Sequence, residues 1–281
     1  MTANEPIGLL AGSGRFPIVF AEKARRLERS VVCVGITGEA SDELASLVDR
    51  FHWCRPLRLN RMIRTFRKEG VSEIVMAGKV RKTGLHSPFW FFNLLPDWRT
   101  LKGLYRAIRE KDGRDDTLLL AVIEEFAKDG LRFASALDYC PELLVKNGIL
   151  TRRGPSARES DDIEFGWTMA REMGRLDIGQ SVVVKNKSVL AVEAIEGTDQ
   201  AILRAGELCR KGGFVVVKVA KPRQDMRFDV PVVGVATIQA MVAAGADGLT
   251  IDAGKTLVLD GDAFVNAANA AGIVVVGRAV A

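Results

Sequence analysis

Short apolar runs alternate with amphipathic stretches along most of the chain. Ile7 to Ala11 reads as a strand and leads into Gly12-Ser13-Gly14. Phe16 to Leu27 then has a helical period, with Phe16, Val19, Phe20 and Ala24 on one face and arginines elsewhere. Ser30 to Ile36 is a β-branched strand, Asp42 to Val48 a helix, and Leu59 to Glu69 a second amphipathic helix. Ile74 to Ala77 is a third buried strand, ending at Gly78-Lys79-Val80. Thr83 to Asp112 breaks the rhythm, with Phe89, Trp90, Phe91, Phe92, Leu94, Leu95 and Trp98 crowded among His86, Arg99, Lys102 and Arg106. Two readings stand for it: a packed helical segment or subunit interface, and an amphipathic surface that meets lipid headgroups. Asp115-Asp116-Thr117 suits the start of a helix over Leu118 to Lys128, and Phe133 to Tyr139 closes this half as a strand.

Lys146 to Glu159, with Gly148, Arg152, Arg153, Gly154 and Pro155, has the composition of a linker. Beyond it a helix runs from Asp161 through Met173. Strands at Ser181 to Val184, Ser188 to Ala194, Phe214 to Val219, Gly248 to Ile251 and Ile273 to Val276 alternate with helices at Asp199 to Cys209, Ala236 to Ala244 and Asp262 to Ala271. The alternation predicts an α/β fold of two α/β domains: a Rossmann-like parallel sheet over residues 1–150 and a second α/β domain over 151–281.

Composition narrows the class. With 281 residues there is room for two cores, and 48% hydrophobic against 27% charged residues describes a folded globular chain. No apolar run approaches the roughly 20 residues of a membrane-spanning helix, and no basic-then-apolar leader is visible. Cys33, Cys54, Cys140 and Cys209 are scattered, which argues against structural zinc and for reduced thiols in a cytoplasm. The net charge of +5 suits an acidic ligand or an anionic membrane surface. Basic residues are interleaved with acidic ones and no RNA-binding aromatic signature occurs, so nucleic acid is not an expected partner.

Candidate chemistry gathers at strand ends, the edge of a parallel sheet where ligands bind. Gly12-Ser13-Gly14 after the first strand resembles a phosphate loop, although Pro17 stands where a dinucleotide fingerprint needs its third glycine. Gly254-Lys255-Thr256 is only a fragment of a Walker sequence. In the second half Glu193, Glu196, Thr198, Asp199 and Arg204 precede the segment KVAKPRQDMRFDVPVVG, which carries Lys218, Lys221, Arg223, Gln224, Asp225, Arg227 and Asp229 between fixed-path prolines 222 and 231. Each group also has a plain explanation: Thr198 as a helix cap, Arg204 in a surface pair, the charged segment as a solvated loop. Carboxylates with cations, and no Ser-His-Asp or Cys-His set, point to metal-assisted phosphoryl chemistry with a hard ion such as Mg²⁺.

Five segments carry a resemblance. IGLLAGSGRFP from Ile7, AGKV from Ala77, EGTDQAILRAG from Glu196, KPRQDMRFDVPVVG from Lys221 and AGKTLVLD from Ala253 resemble, in order, the LpxI-type UDP-2,3-diacylglucosamine pyrophosphatases of Gram-negative lipid A biosynthesis. The resemblance implies a Mg²⁺-dependent hydrolase that releases UMP and 2,3-diacylglucosamine 1-phosphate (lipid X), cytoplasmic and peripheral to the inner membrane. It also implies a UDP-binding first domain, a second domain that holds the acylated sugar, and an active site in the cleft between them. Asp225 is then the central residue, as metal ligand or water activator, with Glu196 and Asp199 as further ligands. Lys221, Arg227 and Arg204 would stabilise charge, and Gly12, Ser13, Gly14, Lys79, Thr198, Lys218 and Gln224 would bind substrate. A homodimer or a membrane would each cover the aromatics of residues 89–98. Two other classes stay open on the residues alone: a nucleotide-binding Rossmann-type oxidoreductase, and a non-catalytic basic module for anionic lipid.

Overall fold

The computed structural model describes residues 5–80, 96–110, 115–222 and 224–279. Two compact units divide the chain: Met1–Cys140 with Asp225–Phe228, and Pro141–Gln224 with Asp229–Ala281.

In the first unit β1 (Ile7–Ala11), β2 (Val31–Ile36), β3 (Arg50–Cys54), β4 (Glu73–Ala77) and β5 (Arg132–Ala134) form one sheet in the order β3-β2-β1-β4-β5. Every pairing is parallel. β2 is buried along its whole length, as expected for an inner strand covered on both faces. Helices α1 (Phe16–Arg26), α2 (Leu44–Leu47), α3 (Leu59–Lys68), α4 (Trp98–Glu110) and α5 (Asp115–Ala127) accompany it. Ile63 and Phe66 of α3 and Phe126 of α5 pack on Val32, Val34 and Ile74 of the sheet.

Three elements differ from the sequence expectation. β3 mixes polar and aromatic residues because it is an edge strand, held by pairing with β2 from Val32↔Arg50 to Ile36↔Cys54. The helix expected over Asp42 to Val48 shrinks to the single turn of α2. After β5 the chain bends into a 3₁₀ turn, Ala136–Asp138, because the Ser135 hydroxyl accepts from the Leu137 amide. Most of the aromatic segment, including His86 and residues 89–95, lies outside the described residues, as does Arg223.

In the second unit β6 (Gly148–Ile149), β7 (Ser181–Lys185), β8 (Ser188–Val192), β9 (Phe214–Lys218), β11 (Ala246–Asp252) and β13 (Val274–Arg278) form a mixed sheet in the order β6-β13-β11-β9-β7-β8. The β13-β11-β9 centre is parallel, and β6, β7 and β8 run against it. β10 (Val232–Val233) and β12 (Leu257–Val258) form a separate parallel pair. Helix α6 (Ala157–Arg175) packs Ile163, Trp167 and Ala170 on Val182, Val184, Val215 and Val217. On the other face Ile202 of α7 (Thr198–Leu208), Met241 of α8 (Val235–Ala244) and Phe264 of α9 (Gly261–Ala270) meet Val216, Leu249 and Ile251.

The stretch that reads as a linker is built into this unit. Gly148 and Ile149 pair with Gly277 and Val276. Arg153 forks onto both carboxylate oxygens of Glu159 at 2.8 and 2.9 Å and donates to the Gly272 and Asp247 carbonyls. Glu159 closes a capping box with Ser156 at the start of α6. Hydrogen bonds from Arg153 first, then from Ser156, hold the Glu159 carboxyl down at about 2.

Glu159→Gln is expected to lower stability by about 2–3 kcal/mol at neutral pH. The folded-state pKa is depressed, so this stabilisation is complete above the unfolded value near ~4.3 and fades as pH falls towards the folded one. Urea unfolding of both proteins at about pH 7, 4 and 2.5 reads the difference; a gap that does not shrink with acid would remove the ionised fork as its source.

Candidate active site

The strand order of the first unit reverses between β1 and β4, and ligands of such sheets bind beyond the strand ends at that reversal. Gly12-Ser13-Gly14 leaves β1 there and Gly78-Lys79 leaves β4. The two loops are zipped together. The Ser13 amide donates to the Lys79 carbonyl (2.7 Å), the Lys79 amide to the Ser13 carbonyl (3.0 Å), and the Ser13 hydroxyl to the Lys79 carbonyl (2.8 Å). A Cβ on Gly12 would lie 2.5 Å from the Lys79 carbonyl oxygen, so only glycine permits the approach. The Gly12 amide donates to Ala77, so the amides of Gly12 and Ser13 are engaged within the fold. What the loop turns outward is the exposed Gly14 and Lys79.

In the second unit the apolar strand β9 ends in Lys218, which is only 3% exposed. Its Nζ donates to Thr198 Oγ1 (2.7 Å), and Thr198 donates to Glu193 Oε1 (3.0 Å). The Ser181 hydroxyl lies 3.3 Å from that of Thr198. Glu193 Oε2 is buried with no hydrogen-bond partner among the described residues. Thr198 does not cap α7: Gly197 holds the cap position with φ +85°, a left-handed conformation that favours glycine. Arg204 donates to the Val192 carbonyl (2.8 Å) and to Glu196 Oε1 (2.6 Å), while Glu196 Oε2 accepts from the Ala194 amide. Its own amide first, and then Arg204, hold the Glu196 carboxyl below its ordinary value. Asp199 is half-buried in the first turn of α7, where its charge suits the helix dipole.

The segment after β9 passes from one unit to the other. Lys221 and Gln224 belong to the second: Lys221 Nζ pairs with Asp177 (2.8 Å), and Gln224 Oε1 accepts from the Lys221 amide (2.9 Å). Asp225 to Phe228 belongs to the first, where Phe228 packs against the core and Ser135 Oγ donates to the Met226 carbonyl (2.7 Å). On this turn Arg227 grips Asp225: Nη2 to Oδ2 at 2.6 Å, Nε to Oδ1 at 3.0 Å, and its amide to Oδ1 at 3.0 Å. The Arg227 side chain is the main reason that the Asp225 carboxyl lies below the ordinary aspartate value, against a smaller opposing effect of burial.

The structure thus gathers Gly12, Ser13, Gly14 and Lys79 at one crevice, Thr198 with Lys218, Glu196 with Arg204, Lys221 with Gln224, and Asp225 with Arg227. Among the described residues no three His, Cys, Asp or Glu side chains converge to hold a metal ion. A single ionised carboxylate still fits Mg²⁺, which binds through one or two carboxylates plus substrate phosphates and keeps several waters. Asp225 and Glu196 each have that chemistry, both held as carboxylates by an arginine and a backbone amide.

Two acids gain a role in three dimensions, Glu193 from the candidate group and Asp252 from outside it. Glu193 anchors the Thr198–Lys218 contact. Asp252, the last residue of β11, is 1% exposed; its Oδ2 accepts from the Ala220 amide, and its Oδ1 has no partner among the described residues. Burial, the largest effect, raises its pKa. The available signal was an acid closing the apolar run GLTID.

Comparison with known proteins gives these residues a setting. Residues 6–143 match the model of the LpxI N-terminal domain, and residues 146–276 that of the LpxI C-terminal domain. A relative from Caulobacter vibrioides, named UDP-2,3-diacylglucosamine pyrophosphatase LpxI, is 34% identical over 280 residues, covering 96% of each chain. Both halves match one family in order and a member aligns nearly end to end: the chain belongs to the LpxI family.

Proposed function

We propose that the protein hydrolyses the pyrophosphate bond of UDP-2,3-diacylglucosamine, releasing UMP and 2,3-diacylglucosamine 1-phosphate in lipid A biosynthesis, as a Mg²⁺-dependent enzyme peripheral to the inner membrane. The observation that carries this reading is the alignment of 96% of the chain with a relative named for that activity.

A diphosphate resists hydrolysis because its anionic oxygens repel the attacking water, so its catalyst supplies positioned positive charge. A bound Mg²⁺ would neutralise those oxygens as charge builds on the leaving UMP. Asp225 would hold it, together with waters and substrate oxygens. The lowered pKa of Asp225 favours that role over water activation, because a general base works best with a pKa near the operating pH. Arg227 keeps Asp225 ionised and presents a fork suited to phosphate oxygens. The reversal crevice, with Gly14 and Lys79 outward, would take the nucleotide. Lys218, Lys221, Arg204, Thr198 and Gln224 would serve the acylated sugar and its phosphate, with the buried Thr198–Lys218 contact fixing the ammonium's position.

Asp225→Asn is expected to cut UMP release at least about 10³-fold while the thermal midpoint stays within a few degrees, because removing one transition-state stabiliser costs on the order of 10²–10³ and this one would also position the ion. Near-normal turnover in the variant would take Asp225 out of the reaction.

Chelation followed by dialysis should abolish activity, and Mg²⁺ should restore it; turnover that survives exhaustive chelation would end the metal requirement.

The two partners also predict a pH effect. With Arg227 present, Asp225 loses its charge only below the ordinary aspartate value of ~3.9, so it contributes no acid limb near neutrality. Arg227→Gln removes the principal lowering influence, and the acid limb of kcat/KM should move to higher pH. Superimposable profiles would show that the pair does not report on catalysis.

A further inference from the structure

A hollow of about 630 Å³ on the first unit is lined by Arg55, Arg58, Arg61, Arg64 and Lys68, with Asp97 as the one acid among its described lining residues. Asp97, held by the Thr100 amide on Oδ1 and the Asn60 amide on Oδ2, both at 2.8 Å, sets a single negative charge against five positive ones. Among the described residues no carboxylate lies in ion-pair range of these five cations. Neighbouring arginines are paired: Arg67 with Asp129, Arg50 with Glu69, and Arg99 with Glu125 and Asp129. Arg61, Arg64 and Lys68 recur at i, i+3 and i+7 on α3, whose opposite side buries Leu59, Met62, Ile63 and Phe66. Like charges at this spacing repel one another, so the face is disfavoured until an anion meets it.

A second observation says what kind of anion. Trp98 begins α4 immediately after Asp97 and is 79% exposed; Tyr105, seven residues on along the same side of α4, is 64% exposed. Indole and phenol rings beside cations are suited to the headgroup boundary of a bilayer, where one part of the ring is wet and the other apolar. We infer that the α3 face and the start of α4 dock on an anionic lipid surface. The arginines and Lys68 take headgroup phosphates, and Trp98 and Tyr105 enter the headgroup layer. The inference rests on the proposed function for its motive alone, since a diacylated substrate must be collected from a bilayer.

Flotation of the full chain with vesicles of phosphatidylcholine, with and without about 30 mol% phosphatidylglycerol, tests this at low and high salt. Binding is expected only to the anionic vesicles, and to fall steeply between about 50 and 500 mM salt. Each cation near an anionic leaflet is worth about fivefold in partition, so Arg55→Gln/Arg61→Gln/Arg64→Gln together should weaken binding about a hundredfold. Trp98→Ala should erase part of the blue shift in tryptophan fluorescence on binding. UMP release from detergent-dispersed substrate should stay at the wild-type rate in the triple variant, which also shows that it folds. A wild type that does not float, or a triple variant that floats equally well, overturns the proposal. So does salt-sensitive binding to a short RNA without binding to vesicles, which would make the face a polynucleotide site. Wild type that floats as expected but releases no UMP would support the docking face and sink the hydrolase reading instead.

Discussion

The second unit is organised by the need to satisfy one ammonium group at the end of an apolar strand. Burying a charge costs several kcal/mol even after relaxation, unless it is hydrogen-bonded and compensated. The four apolar residues of β9, each worth roughly 1.5–3 kcal/mol on full burial, can carry Lys218 inward only if partners wait there. Thr198 meets it from the first turn of α7, and is itself held by Glu193 from the residue after β8 and by Ser181 from the start of β7. One contact therefore fixes three neighbouring elements in register at the edge where the family's distinctive EGTD segment lies. Loss of the ammonium would leave Glu193, already short of a partner at Oε2, as a buried carboxylate with less compensation.

Charge on this protein is managed in three ways. Lys218 is internal and hydrogen-bonded. Arg227 compensates a carboxylate two residues away on the same turn. The cations of α3 line a surface hollow in which Asp97 is the one acid among the described residues. The first arrangement is structural and costs stability wherever it is disturbed; the second tunes acidity; the third leaves potential available to a partner.

Much of the fold was legible because doubly covered strands must be mostly apolar: β1 and β2 are so throughout, and β4, β9 and β13 carry their charged residue only at one end. β6, β10 and β12 are two residues long and carry no period, and β3 mixes Arg50, His52 and Trp53 on an edge. Arg153 reads as part of a hinge because two of its acceptors, the Gly272 and Asp247 carbonyls, come from distant segments. At Gly12 and Ser13 the signature of a phosphate loop is equally that of two backbones in close contact. Thr198 had an adequate local explanation as a cap, which hid its tertiary one. The basic face of α3 was invisible as a tract, since its cations alternate with the leucine, methionine, isoleucine and phenylalanine that the helix buries; only winding the helix sorts them.

The passage of Asp225 to Phe228 into the first unit has a consequence for synthesis. Phe228 packs against a core otherwise built from residues before Cys140, and the Met226 carbonyl holds Ser135. The amino-terminal half therefore leaves the ribosome with a gap in its apolar surface, and cannot finish folding until most of the second unit has followed it. Maturation of the two halves is interlocked in time, and the turn that carries Asp225 is among the last parts of the first unit to arrive.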